Sequence, residues 1–384
     1  MPTYSRLPVT FVRGEGAWLW DDEGKRYLDA LSGIAVCNLG HAHPDLCKTL
    51  CQQADRLWHT SNLYNIPPQE QLARELCRLS GMDNVFFCNS GAEANEAAIK
   101  IARAFAAGRG IAEPKIVVTD GSFHGRTLAT LSATGNPKVH HGFEPLVPGF
   151  LRIPFNDIEA LATLSGRDDI VAILVEPIQG EGGIRIPTAG YLNQLRSLCD
   201  RNGWLLMLDE VQTGIGRTGH WFAHQRENIV PDVMTLAKAL GNGFPIGACV
   251  AKSKASEILA AGMHGSTFGG NFLGCQVALE VLRIIEEHHL ISRAAFLGQT
   301  LADNFARQLA HAPQLKEIRC QGLMLGLELR SPCSELVQRA LTRGLLINVT
   351  AANVVRLLPP LILDDGQVEL LVDSLVDLIL GFKS

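Results

Sequence analysis

Between residues 85 and 251 the chain returns repeatedly to short, almost uninterrupted apolar runs. They are Val85–Cys88, Lys115–Thr119, Ile170–Val175, Trp204–Leu208, Val233–Leu236 and Gly247–Ala251. Several lack the polar alternation of a half-exposed strand, so they read as strands covered on both faces. Helix-like stretches such as Ala92–Ala107 and Ala189–Asn202 lie between them. That alternation predicts an α/β fold with a mostly parallel central sheet in a large domain, covering residues 46–270. From residue 271 the texture changes. Helical stretches at Leu273–His288 and Ser292–Leu309 lead to an apolar strand pair, Gly322–Glu328 with Leu345–Val349, and a closing helix at Gln367–Leu380. This predicts a smaller α+β domain over 271–384. Residues 1–45 contain AWLWDDEGKRYLDA, which reads as a hairpin turning at Asp22–Gly24 and docking on the small domain. A chain of 384 residues is long enough for both units.

Composition narrows the partners. The net charge is −5, from 34 basic and 39 acidic residues, with no basic run or acidic tail. No nucleic acid or anionic membrane is expected on that balance, and arginines are better suited to binding small anions singly. The ten cysteines are scattered without a CxxC pair. Neither they nor the histidines of GHAHP, His140–His141 and His288–His289 have zinc-site spacing, so no metal is expected. The first residues lack an apolar signal core and no stretch is long enough to span a bilayer, which predicts a reduced, cytoplasmic protein.

In open α/β sheets, ligands bind beyond the carboxyl ends of the strands. After Val85–Cys88 comes Asn89-Ser90-Gly91-Ala92, opening a helix. Its first N–H groups and positive dipole end suit a phosphate, although a serine there also serves as an ordinary helix cap. Asp209 follows Trp204–Leu208, and a carboxylate in so apolar a place needs a partner. A protonated ring nitrogen is one such partner; the next turn, capped by the aspartate, is the alternative. Lys238 follows Val233–Leu236 in an apolar run where lysine is unusual. Burial would favour the neutral amine that condenses with a carbonyl, unless the side chain snorkels to the surface.

Six motifs decide among these options. NSGAEANEAAIKIAR, FHGRT, EPIQGEGG, LDEVQTGIGRTG, PDVMTLAKALGNGFPIGA and HGSTFGGN stand in one order from about Leu28 to Pro360. In that order the chain resembles the class-III, ornithine-type aminotransferases of the pyridoxal-phosphate fold type I. The resemblance implies pyridoxal 5'-phosphate as cofactor. It implies Lys238 as the residue that carries the cofactor and shuttles the proton, and Asp209 at the ring nitrogen. Gln212 is implied beside the ring hydroxyl, Val211 and Phe123 on the two ring faces, and Ser90, Gly91 and Ala92 at the phosphate. Thr267 is implied to reach the phosphate of a neighbouring subunit, in a homodimer with shared active sites.

The resemblance also implies the substrates. Arg126 would take a distal carboxylate, Arg356 the carboxylate on the reacting carbon of glutamate, and Ser266 would join the substrate contacts. Glu181 would neutralise Arg356 when the other substrate brings no anion there. Ile34 stands where ornithine-specific relatives carry a tyrosine, and an apolar residue suits an acylated nitrogen better than an ammonium. The expected reaction is transfer of the terminal amino group of N-acetylornithine to 2-oxoglutarate, giving glutamate, in arginine biosynthesis. Succinylornithine, ornithine and 4-aminobutyrate are the alternative donors. Gly214–Gly219 satisfies GxGxxG, which raises an NAD-dependent dehydrogenase as a rival. It starts too far beyond the strand and leads into HWFA, so its glycines are expected to let the loop close over the cofactor. A non-catalytic protein of the same fold is disfavoured because Lys238, Asp209 and both arginines are present.

Overall fold

The computed structural model describes residues 1–382. An N-terminal meander is formed by β1 (Phe11–Glu15), β2 (Trp18–Asp21) and β3 (Arg26–Asp29). The turn between β2 and β3 is held by Asp21, whose Oδ1 accepts from Glu23 N and Lys25 N. The central sheet contains β4 (Asn84–Cys88), β5 (Lys115–Thr119), β6 (Phe150–Ile153), β7 (Ile170–Val175), β8 (Leu205–Asp209), β9 (Val233–Leu236) and β10 (Gly247–Ala251). Their spatial order is β4-β10-β9-β8-β7-β5-β6. Only β10 runs against its neighbours.

The apolar runs are explained by what covers them. Helix Gly91–Gly108 packs Ala97, Ala98, Ile101 and Ala102 against Val118, Leu174 and Met207 on one face. Helix Tyr191–Asn202 packs Leu195 and Leu198 against Val117, Ile173 and Leu206 on the other. Each fully buried aliphatic side chain contributes roughly 1.5–3 kcal/mol, so a polar residue inside these strands would be costly. β6 has no counterpart in the sequence expectations, because FLRI at the sheet edge is only half-covered and carries exposed Arg152.

The C-terminal part holds β11 (Leu315–Gln321), β12 (Met324–Leu329), β13 (Leu345–Leu346), β14 (Asn348–Thr350) and β15 (Val354–Leu357). β11-β12-β15-β14 form an antiparallel sheet. The expected pairing of Gly322–Glu328 with Leu345–Val349 is corrected here. β12 lies between β11 and β15, while β13 leaves that sheet and runs parallel to β3. The break falls at Ile347, where the chain passes from one sheet to the other, so a single apolar segment serves two sheets. Long helices Phe272–Glu287, Leu290–Gln308 and Asp365–Leu380 complete this region.

After β3, four consecutive residues from Ser32 to Ala35 lie in the left-handed region, with φ between 46° and 68°. For L-residues such a turn costs about 1–2 kcal/mol at each non-glycine position. Asp29 helps hold it, its Oδ1 accepting from Leu31 N at 2.9 Å and Ser32 N at 2.8 Å.

Candidate active site

A chamber of about 400 Å³ opens at the carboxyl ends of the parallel strands. It gathers Ser90, Gly91, Ala92, Phe123, Arg126, Glu181, Asp209, Val211, Gln212 and Lys238 from segments far apart in sequence. Strand order explains the convergence. β8 and β9 are neighbours, so Asp209 pairs with Thr235 and Lys238 follows one strand over. Asp209 is the last residue of its strand, which starts at Leu205 and so runs one residue later than Trp204–Leu208.

Ser90 caps the helix that begins at Gly91, its Oγ accepting from Glu93 N at 3.2 Å. The N–H groups of Gly91 and Ala92 precede the first intrahelical bond, from Ala94 N to Ser90 O, and both residues line the chamber at the positive end of the helix dipole. A Cβ at Gly91 would come within 2.8 Å of Val211 Cγ1, so glycine is what lets Val211 pack there.

Asp209 is buried and tied on both oxygens. Oδ2 accepts from Asn95 Nδ2 at 2.7 Å and His124 Nδ1 at 2.8 Å, and Oδ1 from Val211 N at 3.1 Å. Asn95 Oδ1 is held in turn by Thr235 Oγ1. Glu176, at the end of β7, accepts from Phe123 N at 2.9 Å and Gly180 N at 3.1 Å. Burial pushes its carboxyl up to about 7, with nearby His124 acting in the opposite sense. Glu176 thereby fixes the loop that carries Phe123. Asn95, His124 and Glu176 were absent from the sequence expectations. The strand-end rule that selects Asp209 also selects Glu176, and the other two lie inside motifs already recognised.

Lys238 begins a short 3₁₀ turn with φ at 44°, and among the described residues its Nζ has no hydrogen-bond or ion-pair partner. Burial pushes its ammonium below the usual lysine range, and Arg356 adds to the effect. The result is an amine biased toward its neutral, nucleophilic form.

Arg356 on β15 is fully buried behind the chamber. Its Nη1 donates to Glu181 Oε1 at 2.6 Å and its Nε to Asn348 Oδ1 at 2.9 Å, while Nη2 has no partner among the described residues. Arg126 is exposed at the chamber, with its guanidinium 5.7 Å from the centre of the Phe123 ring. Ser266 and Thr267 do not line the chamber. Ser266 Oγ meets Asn89 Nδ2 at 3.2 Å, and Thr267 is exposed to solvent. Val36, two residues beyond Ile34, forms part of the wall, whereas Ile34 packs toward Ile178, Ile184 and Met324. The Gly214–Gly219 loop is also absent from the chamber. It presses against Ala295 and Gly322, so close packing between segments accounts for its glycines.

The class-III aminotransferase pattern matches residues 2–379, nearly the whole chain. The chain belongs to the class-III aminotransferases. The family is pyridoxal-phosphate-dependent, and so is this enzyme. The chain is 56% identical to the acetylornithine aminotransferase of Nitrosomonas europaea, over 100% of its own length and 98% of the relative's. It is 52% identical to acetylornithine aminotransferase 1 of Bordetella pertussis, covering 99% and 97%. Among solved structures, ornithine aminotransferase from Toxoplasma gondii superposes with a TM-score of 0.96 at 35% identity, covering 99% and 92%. Acetylornithine aminotransferase from Elizabethkingia anophelis gives 0.90 at 37%, covering 100% and 96%. This class-III aminotransferase therefore has the fold-type-I α/β architecture, with its mostly parallel sheet.

The chamber fits the family's cofactor on its own chemistry. Gln212 Oε1 is buried without a partner among the described residues, an acceptor suited to a ring hydroxyl. Asp209 offers an anchored carboxylate to a ring nitrogen, and Lys238 an unpaired amine to a carbonyl.

Proposed function

We propose that this aminotransferase moves the terminal amino group of N2-acetyl-L-ornithine to 2-oxoglutarate, giving N-acetylglutamate 5-semialdehyde and glutamate, in arginine biosynthesis. The observation that carries the reading is the Glu181–Arg356 ion pair near Lys238, with Arg126 lining the chamber and making no ion pair among the described residues. Two substrates must share one chamber. The distal carboxylate of either can meet Arg126, the two differing by one bond in reach. Glutamate alone brings a second carboxylate on the reacting carbon, and Arg356 can receive it only when Glu181 lets go. For the acylornithine, Glu181 stays and the buried guanidinium remains neutralised, as burial of a charge requires.

When bound, pyridoxal phosphate supplies a carbonyl that exchanges for the substrate's amine and a cationic ring that withdraws electrons from the carbon losing its proton. Lys238 would carry the cofactor, and its neutral amine would move that proton. Asp209, oriented by Asn95 and His124, holds the proton on the ring nitrogen. Gln212 would accept from the ring hydroxyl, Val211 and Phe123 would bracket the ring, and Ser90, Gly91 and Ala92 would hold the phosphate. Thr267 lies outside its own chamber, which supports its service to a second copy in a homodimer. Ser266, next to it, would contact substrate by way of Asn89. Relatives named for acetylornithine support the acetyl donor over the succinyl one, and a cytoplasmic enzyme would suit that pathway.

The test is a single half-reaction. Enzyme is mixed with N-acetylornithine without 2-oxoglutarate, and absorbance follows conversion of bound cofactor from its pyridoxal to its pyridoxamine form. Rapid conversion, with succinylornithine, ornithine and 4-aminobutyrate slower, is expected. No conversion by N-acetylornithine alongside a normal response to glutamate would overturn the donor and leave the aminotransferase standing. Lys238→Ala is expected to lose turnover entirely.

A further inference from the structure

Glu181 sits on a short hairpin whose base and tip are held by different sheets. At the base, Gln179 and Arg185 exchange backbone hydrogen bonds of 3.1 and 3.0 Å. Gln179 Nε2 ties this base to the central sheet, donating to Thr119 Oγ1 at 3.1 Å and to Asp120 O at 2.8 Å. The tip is docked on the C-terminal sheet. Ile184 is fully buried with Met324 and Leu358, and a Cβ on Gly326 of β12 would lie 3.0 Å from Ile184 Cβ. Arg319 of β11, paired with Glu328 at 2.6 Å, donates to Gly183 O at 2.8 Å and to Ile184 O at 3.1 Å. Buried Thr350 of β14 donates through Oγ1 to the carbonyl of Glu181 itself. Asn348, two residues earlier, shares that side of the strand, lies opposite Arg356 in register and accepts from its Nε at 2.9 Å. One three-residue strand therefore fixes both halves of the Glu181–Arg356 pair, the guanidinium through Asn348 and the Glu181 peptide through Thr350. Only the Glu181 side chain is left to move.

We propose that Thr350 is a positioning residue that sets the balance between the two substrates, by pinning the pivot about which the Glu181 side chain swings. This rests on the reading that Glu181 must leave Arg356 before glutamate can bind. A pinned peptide confines that departure to rotation of the side chain, and it keeps the carboxylate aimed at the guanidinium between departures. With the peptide released, backbone and side chain move together and the 2.6 Å contact is held less firmly. Arg356 is then free more of the time. Glutamate gains, because its second carboxylate takes the freed guanidinium. N-acetylornithine does not gain, because it brings no anion there and relies on Glu181 to neutralise a buried cation. Thr350 does not line the chamber, so its influence on either substrate passes through Glu181.

Thr350→Val keeps the shape of the side chain and removes its donor. Stopped-flow absorbance of the holoenzyme, mixed with glutamate or with N-acetylornithine, gives the ratio of the two half-reactions. The ratio is expected to move toward glutamate by about three-fold, less than in Glu181→Ala, since one neutral hydrogen bond is lost. Thr350→Ser, which keeps the donor, should restore the wild-type ratio. Added to Glu181→Ala, Thr350→Val should leave the ratio where it stands, because the side chain it governs is gone. If Thr350→Val slows both half-reactions equally, or moves the ratio toward N-acetylornithine, the proposal is overturned. A shift as large in the Glu181→Ala background as in the wild type overturns it too. Either result leaves the Glu181 exchange standing wherever Glu181→Ala alone shifts the ratio. No shift with Glu181→Ala removes the exchange itself, and the role of Thr350 with it.

Discussion

Glu181 Oε1 lies 2.6 Å from Arg356 Nη1, and this contact joins the loop after β7 to β15 of the C-terminal sheet. The two partners differ in exposure: the Arg356 side chain is fully buried and that of Glu181 is 38% exposed. The carboxylate can therefore swing toward solvent, while the guanidinium is fixed by Asn348. A switch of this kind needs one mobile member and one anchored one.

Glu181→Ala should accordingly raise the glutamate half-reaction relative to the acetylornithine half-reaction by about ten-fold, since a charge-assisted bond no longer has to be broken first. Stopped-flow absorbance of each half-reaction measures the ratio. An unchanged ratio would remove the switch and leave Glu181 a structural partner.

Asp209→Ala removes the acceptor of Asn95 Nδ2 and His124 Nδ1 at once. Asn95 Nδ2 keeps its bond to His124 O, so the main loss is the buried His124 Nδ1 donor, which should destabilise the protein by about 1–3 kcal/mol, read as a fall in denaturation midpoint. Turnover should fall more steeply than stability accounts for, by about a thousand-fold or more. Asp209→Asn keeps the volume and should lose comparable activity, because it cannot hold a cation.

Glu176 gives the enzyme a pH signature. Its folded pKa of about 7 lies above the ordinary carboxyl value of 4.5. The folded state therefore binds more protons than the unfolded one between those values, and stability from this group is lost as pH rises through that window. The full effect is about 3 kcal/mol. Glu176→Gln should start lower, since one of the bonds to Phe123 N or Gly180 N is spoiled, and should lack this slope. Denaturant midpoints from pH 5 to 8 compare the two. Parallel curves would mean that Glu176 is ionised throughout.

The sequence made the large features visible because their physics is local. Apolar runs without alternation require cover on both faces, and five of six predicted strands keep their bounds to within a residue, the sixth being displaced by one. What escaped depended on long-range geometry. Whether 345–349 paired with 322–328 was decided by β15, which inserts between the segments, and by β3, which captures Leu345–Leu346. Ile34 is placed near the substrate by the resemblance alone, which carries no information about the local backbone. The left-handed turn carries it into an apolar cluster and presents Val36 to the chamber instead. No periodicity rule anticipates four successive positive φ values, three of them at non-glycine residues. His124 and Asn95 were overlooked because nothing local shows that they converge on one carboxylate.

The sharpest test of the cofactor reading is Gly180→Ala. Gly180 abuts the end of Gln212, and a Cβ there would sit 2.2 Å from Gln212 Oε1. Its φ is not in the left-handed region, so alanine adds no backbone strain of the kind glycine relieves. The bond from its N–H to Glu176 Oε2 can persist. What must move is the end of Gln212, whose Oε1 has no partner to lose within the protein. Stability of the cofactor-free enzyme should therefore change by less than about 1 kcal/mol. If Gln212 holds the ring hydroxyl, displacement removes one hydrogen bond and the affinity for pyridoxal phosphate should fall about ten-fold. Fluorescence titration of the cofactor-free protein measures that affinity, and calorimetry the stability. Unaltered affinity with Gln212 displaced would take the glutamine out of the cofactor site. Lost affinity at constant stability would place the ring between Gln212 and Asp209.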